Sequence, residues 1–479
     1  MINKKAKIAI IGGGVAGATT ALYLGQREVD VTLFEKESNL VSGPPFCHLH
    51  AGGNLYREIS DEQCIKLLKQ SIDFLRFYPF VVDYRPTVIV LPTEDKGTPN
   101  SLLPRLELLI KEYDKLIEQD SKNRVLGESK EYYRCYSKEE IETLQLKESV
   151  DKPQSSDEWM IPVAKSIDLD KVQFPLIMVQ EYGLNLFRLS AGVTLSLEKL
   201  KSVTLNKNTV VHNIQKDLLH NDSWEISYVT ENSSHKENFD YIINATGFRT
   251  GKIDDMLGVP CKRMVEFKSA YVSHWSSGLT TLFPEIIFHG ERGTPQGMGQ
   301  FTPYPNGYFQ LHGMTNDITL YKDGLVANSL VSCQPHLNPN FIEKIDKSWK
   351  NDEVKERTQN AIKHISKFIP SFCTAEVGSK PLFGAQQIPG DDPTLRVAEV
   401  SFPREKYARC EIVKVSSVLD MIDTICNELI KLEYMDEDSL SFNKRYSNSL
   451  DEKSIRERAK LIATDRDYPA DLASRNVGE

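Results

Sequence analysis

The stretch "GPPFCHLHAGGNLYRE", residues 43–58, gathers several side chains that could do chemistry. Cys47, His48 and His50 precede Ala51, Gly52 and Gly53, and Arg57 follows. Imidazoles move protons near neutral pH and also ligate metals. A guanidinium grips a carboxylate through paired hydrogen bonds. A tetrahedral metal centre needs further ligands at suitable spacing, and none stands nearby, so no metal is expected. The eight cysteines are scattered without a C-x-x-C pair, which argues the same way and fits a reducing compartment. The glycine pair suits a loop that passes close beside a flat ligand.

The segment upstream says what that ligand is. "AKIAIIGGGVAGATTALYL" starts as an apolar strand, turns through glycines and enters a helix at Val15 and Ala16. Gly12, Gly14 and Gly17 have the G-x-G-x-x-G spacing. The first glycine permits the tight turn, the second lets the backbone approach a pyrophosphate, and the third lets helix and strand pack closely. The helix N-terminus then offers N–H groups and a favourable dipole to phosphate. A second strand, "VDVTLFEK", ends in Glu35, followed by Lys36, at the distance expected of a carboxylate that takes ribose hydroxyls. The chain does not continue directly into more strand–helix units. It leaves for the histidine loop, and strand-like segments from Thr209 return much later to a strand ending in Ala245, Thr246 and Gly247. Small residues there let another backbone segment come close.

Length suggests two or three folding units in the 479 residues. A net charge of −9 argues against nucleic acid as a partner. The apolar runs fall short of the ~18 residues needed to span a bilayer. The N-terminal "MINKKAKIAIIGGG" reads as a buried strand rather than a signal peptide, because its apolar run enters glycines without a cleavage site. A cytoplasmic protein without a transmembrane segment is expected, with peripheral contact with a membrane left open.

These features together resemble the FAD-dependent oxidoreductases of the D-amino-acid oxidase and glycine oxidase superfamily. The resemblance rests on the fingerprint, the Glu35 strand, the late Ala245-Thr246-Gly247 strand, "VQEYGL" at 179–184 and "SKEEIETL", whose Ser137 and Glu140 form a capping box. It implies an α/β fold of two domains. A discontinuous Rossmann-like FAD-binding domain would take residues 1–75, 165–260 and 370–432. An α+β substrate domain would take 76–164 and 261–369. The charged tail, 433–479, reads as a solvated helical extension. Elements expected within this frame include an amphipathic helix over "SLLPRLELLIKEYDKLIEQD", a hairpin at "PYPNGYFQLHG", a helix over "EVKERTQNAIKHISKFI" and a final helix from Lys414.

The resemblance also implies site residues. Val211 falls on a strand whose backbone holds the adenine in the family. "HAGG", 50–53, falls where the family's loop passes the flavin ring, and it is similar to the "HAG" stretch of L-2-hydroxyglutarate oxidases. His50 would be a base, a covalent flavin tether or a loop anchor. Family members place a carboxylate-gripping arginine in a G-x-R-P stretch; here Lys380 stands there, and lysine lacks the planar fork. Lys380 and Arg57 are the candidates for a substrate carboxylate.

The expected function is FAD-dependent removal of a hydride from a C–OH or C–N carbon of a small carboxylated substrate, with electrons passing to oxygen or a quinone. The departure at Lys380 and the HAG loop lean towards a hydroxy acid. The "GAQQIPGD" stretch is similar to that of malate:quinone enzymes. Two alternatives stay open: an FAD-binding maturation or partner protein, and an NADPH-dependent flavin monooxygenase.

Overall fold

The computed structural model describes residues 6–43, 46–53, 59–217, 223–231, 233–278, 281–393, 395, 399–437 and 450–477. A six-stranded sheet is built around the Lys7–Ile11 strand. Its order is Val400–Arg404, Tyr407–Cys410, Tyr241–Asn244, Lys7–Ile11, Asp30–Phe34, Val203–Asn206. All neighbours run parallel except the outermost pair, Val400–Arg404 with Tyr407–Cys410. A central parallel strand is covered on both faces, which is why "IAII" is apolar throughout. Ile8 and Ile10 pack with the helices Val15–Gly25, Leu186–Leu197 and Val418–Lys431. Ala9 and Ile11 pack on the other side with Trp224, Ile226 and Phe239.

Those last three residues belong to an antiparallel sheet of Thr209–Asp217, Ser223–Thr230 and Ser233–Phe239. Ser233–Phe239 completes the meander, and the chain then turns straight into Tyr241–Asn244 of the parallel sheet.

A larger, mixed sheet runs in the order Leu325–Ala327, Arg263–His274, Tyr308–Gly313, Gly299–Pro303, Glu285–Phe288, Thr87–Val90, Leu176–Val179, Tyr133–Tyr136. Leu382–Pro389 pairs along Arg263–Ala270. Two of its strands, Leu176–Val179 and Leu382–Pro389, come from segments that the sequence reading assigned to the nucleotide-binding domain. The hairpin between Gly299–Pro303 and Tyr308–Gly313 turns at Asn306 and Gly307, with φ of 58° and 72°. Two successive positive φ values make a turn that matches strand twist, and Asn-Gly is the preferred pair for it.

The large sheet has two unlike faces, and strand period sets them. Val88, Val90, Ile286, Phe288, Phe301, Phe309 and Leu311 point outward into an aromatic-rich core with Phe283 and Phe372. That core is covered by the Asn351–Ser366 helix, which buries Ala361, Ile362 and Ile365. The intervening positions Glu285, Gln300, Thr302 and Gln310 are just as buried, yet polar.

The charged tail is not a solvated extension. Its Glu452–Asp465 helix buries Ile455, Ala459, Ile462 and Ala463, a stripe at helical spacing, within the core that holds the Leu186–Leu197 helix. Beyond it the chain stays pinned. Leu472 and Ala473 are fully buried, and Asn185 Nδ2 donates to the carbonyls of Leu472 and Ser474 at 2.9 and 3.2 Å. The many charges of "DEKSIRERAK" occupy the other positions and hide the stripe.

Candidate active site

The glycine turn meets the demands of a pyrophosphate. Gly12 has φ 99°, and a Cβ there would sit 2.6 Å from the Ala245 carbonyl oxygen. A Cβ on Gly17 would land on the Gly12 carbonyl. A Cβ on Gly14 would meet nothing within 4 Å. Two of the fingerprint glycines therefore serve packing, and the third keeps space open. Gly14 also caps the Val15–Gly25 helix without any side-chain bond, and Val15 and Ala16 open its first turn. Its N-terminal N–H groups are presented to an anion.

Glu35 is buried at the end of the second strand. One carboxylate oxygen accepts from Gly13 N at 2.6 Å and the other from Glu37 N at 2.8 Å. Burial raises its pKa, against those two bonds. Each oxygen retains a lone pair, so the carboxylate can still receive ribose hydroxyls. Lys36 points away, to Glu37 and Asp346 at 2.8 and 3.2 Å. Ala245 packs under the glycine turn, and Thr246 bonds back to Asn244. Gly247 has φ 60° with open space at its Cβ position. Val211 lies half-buried on the Thr209–Asp217 strand. These residues fit a dinucleotide such as FAD.

The histidine loop is held by a group that sequence reasoning missed. Glu181, fully buried, accepts from Gly53 N at 2.7 Å, Ala51 N at 3.3 Å and Tyr132 OH at 2.9 Å. Burial pushes its pKa up to about 7 against these bonds. The glycine pair has its reason here. A Cβ on Gly53 would lie 2.8 Å from Glu181 Oε1, and one on Gly52, at φ 101°, 2.6 Å from the Cys64 carbonyl oxygen. The sequence reading gave both glycines to a flat ligand; close packing against their own fold already requires them. Ser71 Oγ donates to the His50 carbonyl at 3.1 Å. Glu181→Ala leaves the Ala51 and Gly53 amides and the Tyr132 hydroxyl without their acceptor. It is expected to cost about 2–4 kcal/mol in denaturant unfolding. Glu181→Gln, which keeps one accepting oxygen, should cost less. An alanine variant as stable as wild type would contradict this role.

The loop meets the polar face of the large sheet. His48 Nδ1 lies 2.7 Å from Glu285 Oε1 and 3.0 Å from Gln300 Nε2. Gln300 Nε2 also donates to Glu285 Oε1 at 2.6 Å and reaches Cys47 Sγ at 2.9 Å. Arg85 Nη1 donates to Glu285 Oε2 at 2.5 Å, and Nη2 to the Cys47 carbonyl at 2.9 Å. Burial alone would discharge His48, but the Glu285 carboxylate beside it raises its pKa to about 10. Burial alone would raise Glu285, but His48 and Arg85 hold it down at about 2. The pair is an ion pair across neutral pH. Further along the same face, Tyr304 OH donates to Gln310 Oε1 at 3.1 Å. His312 is kept neutral by burial, its pKa lowered to about 4. The Cys47, His48 and Glu285 donor atoms lie within 4.8 Å of one another. Arg85 and Gln300 place their own donors on that group, and a guanidinium opposes a cation there.

His50, the expected base, is half-buried with its ring 4.4 Å from that of His48. Arg57 lies outside the described residues. Lys380 stands elsewhere: it pairs with Asp467 at 3.5 Å, lies over the Tyr468 ring, and lines a cavity of about 730 Å³ with Trp349 and Phe383. That cavity shares no residue with the His48 group. The missed residues left one signal in the sequence, polar side chains at alternate positions of otherwise apolar strands: Gln300 and Thr302, then Gln310 and His312.

A parallel sheet with a glycine turn open to phosphate, beside a second sheet with a buried polar face, is an α/β arrangement suited to a dinucleotide. Residues 7–143 match the family described as FAD dependent oxidoreductase, DAO. The matched segment holds the glycine turn, the Glu35 strand and the 47–53 loop. No curated protein matches the sequence. Several solved structures share the fold. Glycerol-3-phosphate dehydrogenase from Bacillus halodurans, complexed with FAD, is 14% identical with a TM-score of 0.58, over 98% of this chain and 74% of that one. Glycine oxidase from Geobacillus kaustophilus is 14% identical with a TM-score of 0.52, over 89% and 95%. L-amino acid deaminase from Proteus vulgaris is 13% identical with a TM-score of 0.56, over 95% and 97%. Among the described residues, no helix is long and apolar enough to cross a membrane.

Proposed function

We propose that the chain is an FAD-dependent oxidoreductase that oxidises a C–OH or C–N carbon of a small carboxylated substrate, bound between the 47–53 loop and the polar face of the large sheet. The observation that carries the reading is the row Glu285, Gln300, Thr302 and Gln310. These side chains are at most 3% exposed, yet they are amides, a hydroxyl and a carboxylate in a sheet whose other face is apolar. A buried polar row weakens a core unless it serves a ligand or a network. This row meets the loop that follows the dinucleotide fold.

When bound, FAD supplies the two-electron acceptor. The substrate carbon gives up a hydride, and its O–H or N–H gives up a proton, leaving a carbonyl or an imine. The chain's own residues hold and orient the substrate. Gln300 and Gln310 supply amide groups at fixed positions, because Glu285 and Tyr304 anchor them. His50 is the proposed proton acceptor. Gly12, Gly14, Val15, Ala16, Gly17, Glu35 and Ala245 to Gly247 are proposed to hold the dinucleotide, with Val211 beside the adenine, and residues 50–53 to flank the ring. Electrons then leave to oxygen, giving peroxide, or to a quinone, giving quinol.

The test is anaerobic mixing of the FAD-loaded protein with hydroxy acids, amino acids and N-methyl amines. Bleaching of the yellow colour by one class is expected, with hydroxy acids first. Bleaching by NADPH and by none of the panel would overturn the reading.

A further inference from the structure

The fold engages one edge of the His48 ring and leaves the other unpartnered among the described residues. Nδ1 faces Glu285, while Nε2 is buried with no hydrogen-bond partner among the described residues. His48 itself is only 4% exposed. Leaving such a donor unmade costs about 1–3 kcal/mol, so an acceptor brought by a ligand recovers something the folded chain lacks. We propose that His48 Nε2–H, oriented by Glu285 and Arg85, is the donor that holds the substrate's carboxylate. This rests on the substrate site proposed above.

Among the described residues, the other cations considered are committed. Arg85 spends Nη1 on Glu285 and Nη2 on the Cys47 carbonyl, and its Nε faces Asp83 at 3.4 Å. Lys268 is engaged by Glu266 at 2.8 Å and Gln386 at 3.1 Å. Lys380 is paired with Asp467, outside the group. His48 lies in the loop, against the sheet, with its Nδ1 side closed by Glu285, Gln300 and the Cys47 thiol. A carboxylate that orients an imidazole through one nitrogen leaves the other as a fixed, charged donor.

The charge count selects the ligand. Arg85 and His48 carry two positive charges, and Glu285 and Asp83 two negative ones, so the network is neutral before a ligand enters while Glu181 is protonated. A buried neutral network accepts a monoanion far more readily than a dianion. A carboxylate fits; a phosphate monoester does not. The groups that face His48 are the Cys47 thiol, the His50 ring, Glu285 and, by charge, Glu181 and His312. Glu181 becomes anionic as pH rises through about 7, which favours the charged imidazole further. The sign follows: with its pKa raised to about 10, His48 holds an anion across neutral pH and releases it as pH rises through that value.

Calorimetric titration of oxidised, FAD-loaded protein with acetate, and separately with inorganic phosphate, tests this. Wild type should bind acetate in preference to phosphate and still hold it at about pH 9, with a modest weakening as Glu181 gains its charge through about pH 7. His48→Gln should weaken acetate binding about 10- to 150-fold without loss of FAD. Glu285→Gln removes the charge that keeps His48 protonated. It should bind acetate at about pH 6 and lose it by about pH 9, a pH limb that a purely structural ion pair would not produce. Absence of acetate binding to wild type, preference for phosphate, indifference to His48→Gln, or an unmoved pH limb in Glu285→Gln would each overturn the proposal. Substrate bleaching with acetate binding indifferent to His48 leaves the function standing and removes the anchor. The converse pattern removes the function and keeps the anion site.

Discussion

Gly14→Val is expected to yield a folded protein that no longer carries FAD. The space around a Cβ at this position is empty for 4 Å, so the protein itself has no objection to a side chain. The pyrophosphate does, because it must approach the backbone and the helix N-terminus there. An affinity loss of at least about 10²-fold, or roughly 2.7 kcal/mol, is expected. Wild type should melt later when FAD is added, since a ligand that binds the native state stabilises it. The variant should melt like apo wild type and show no such shift. Gly17→Val is the contrast. Its side chain would collide with the Gly12 carbonyl, so the variant should fail to fold at all. A Gly14→Val protein that retains flavin through desalting would contradict this placement of the pyrophosphate.

Removal of residues 451–479 is expected to prevent folding. The tail brings Ile455, Ile462 and Leu472 into the core at 1%, 1% and 0% exposure. Three aliphatic side chains buried to that degree contribute roughly 5–9 kcal/mol, an upper bound because unfolded chains already hide some surface. Domain stabilities are about 5–15 kcal/mol in total, so little would remain. The fully buried Arg188 would also lose Glu452, with which it pairs. Beyond stability, the tail reaches the site. The Asn476 and Val477 amides donate to Asp83 Oδ1 at 3.1 Å, and Asp83 faces the arginine that holds Glu285. A truncated protein that is soluble and melts like wild type would refute this account of the tail.

What the sequence disclosed follows from how local each cause is. The fingerprint turn, the Glu35 strand, the Ser137–Glu140 capping box and the Asn306–Gly307 hairpin are decided by residues a few positions apart, and all appear in the structure. The tail was misread because its charges outnumber its apolar stripe, although Ile455, Ala459 and Ile462 stand at helical spacing. The His48 group was opaque for another reason. Arg85, Glu285 and Gln300 lie 37 to 252 positions from His48 and are joined only by the pairing of the Thr87–Val90, Glu285–Phe288 and Gly299–Pro303 strands. Glu181 stood in a stretch already noted, but its bonds to residues 51 and 53 depend on tertiary packing. Lys380 was chosen by its place in a motif, and the structure turns it towards Asp467.

The central claim is that the flavin ring lies where the 47–53 loop meets the polar face of the large sheet. A crystal structure of the wild-type protein loaded with FAD, soaked with acetate, measures this directly. The account predicts the pyrophosphate at Gly14, the ring beside residues 50–53, and an acetate oxygen within hydrogen-bond distance of His48 Nε2. A ring out of contact with both the loop and the Gln300–Gln310 face would contradict it.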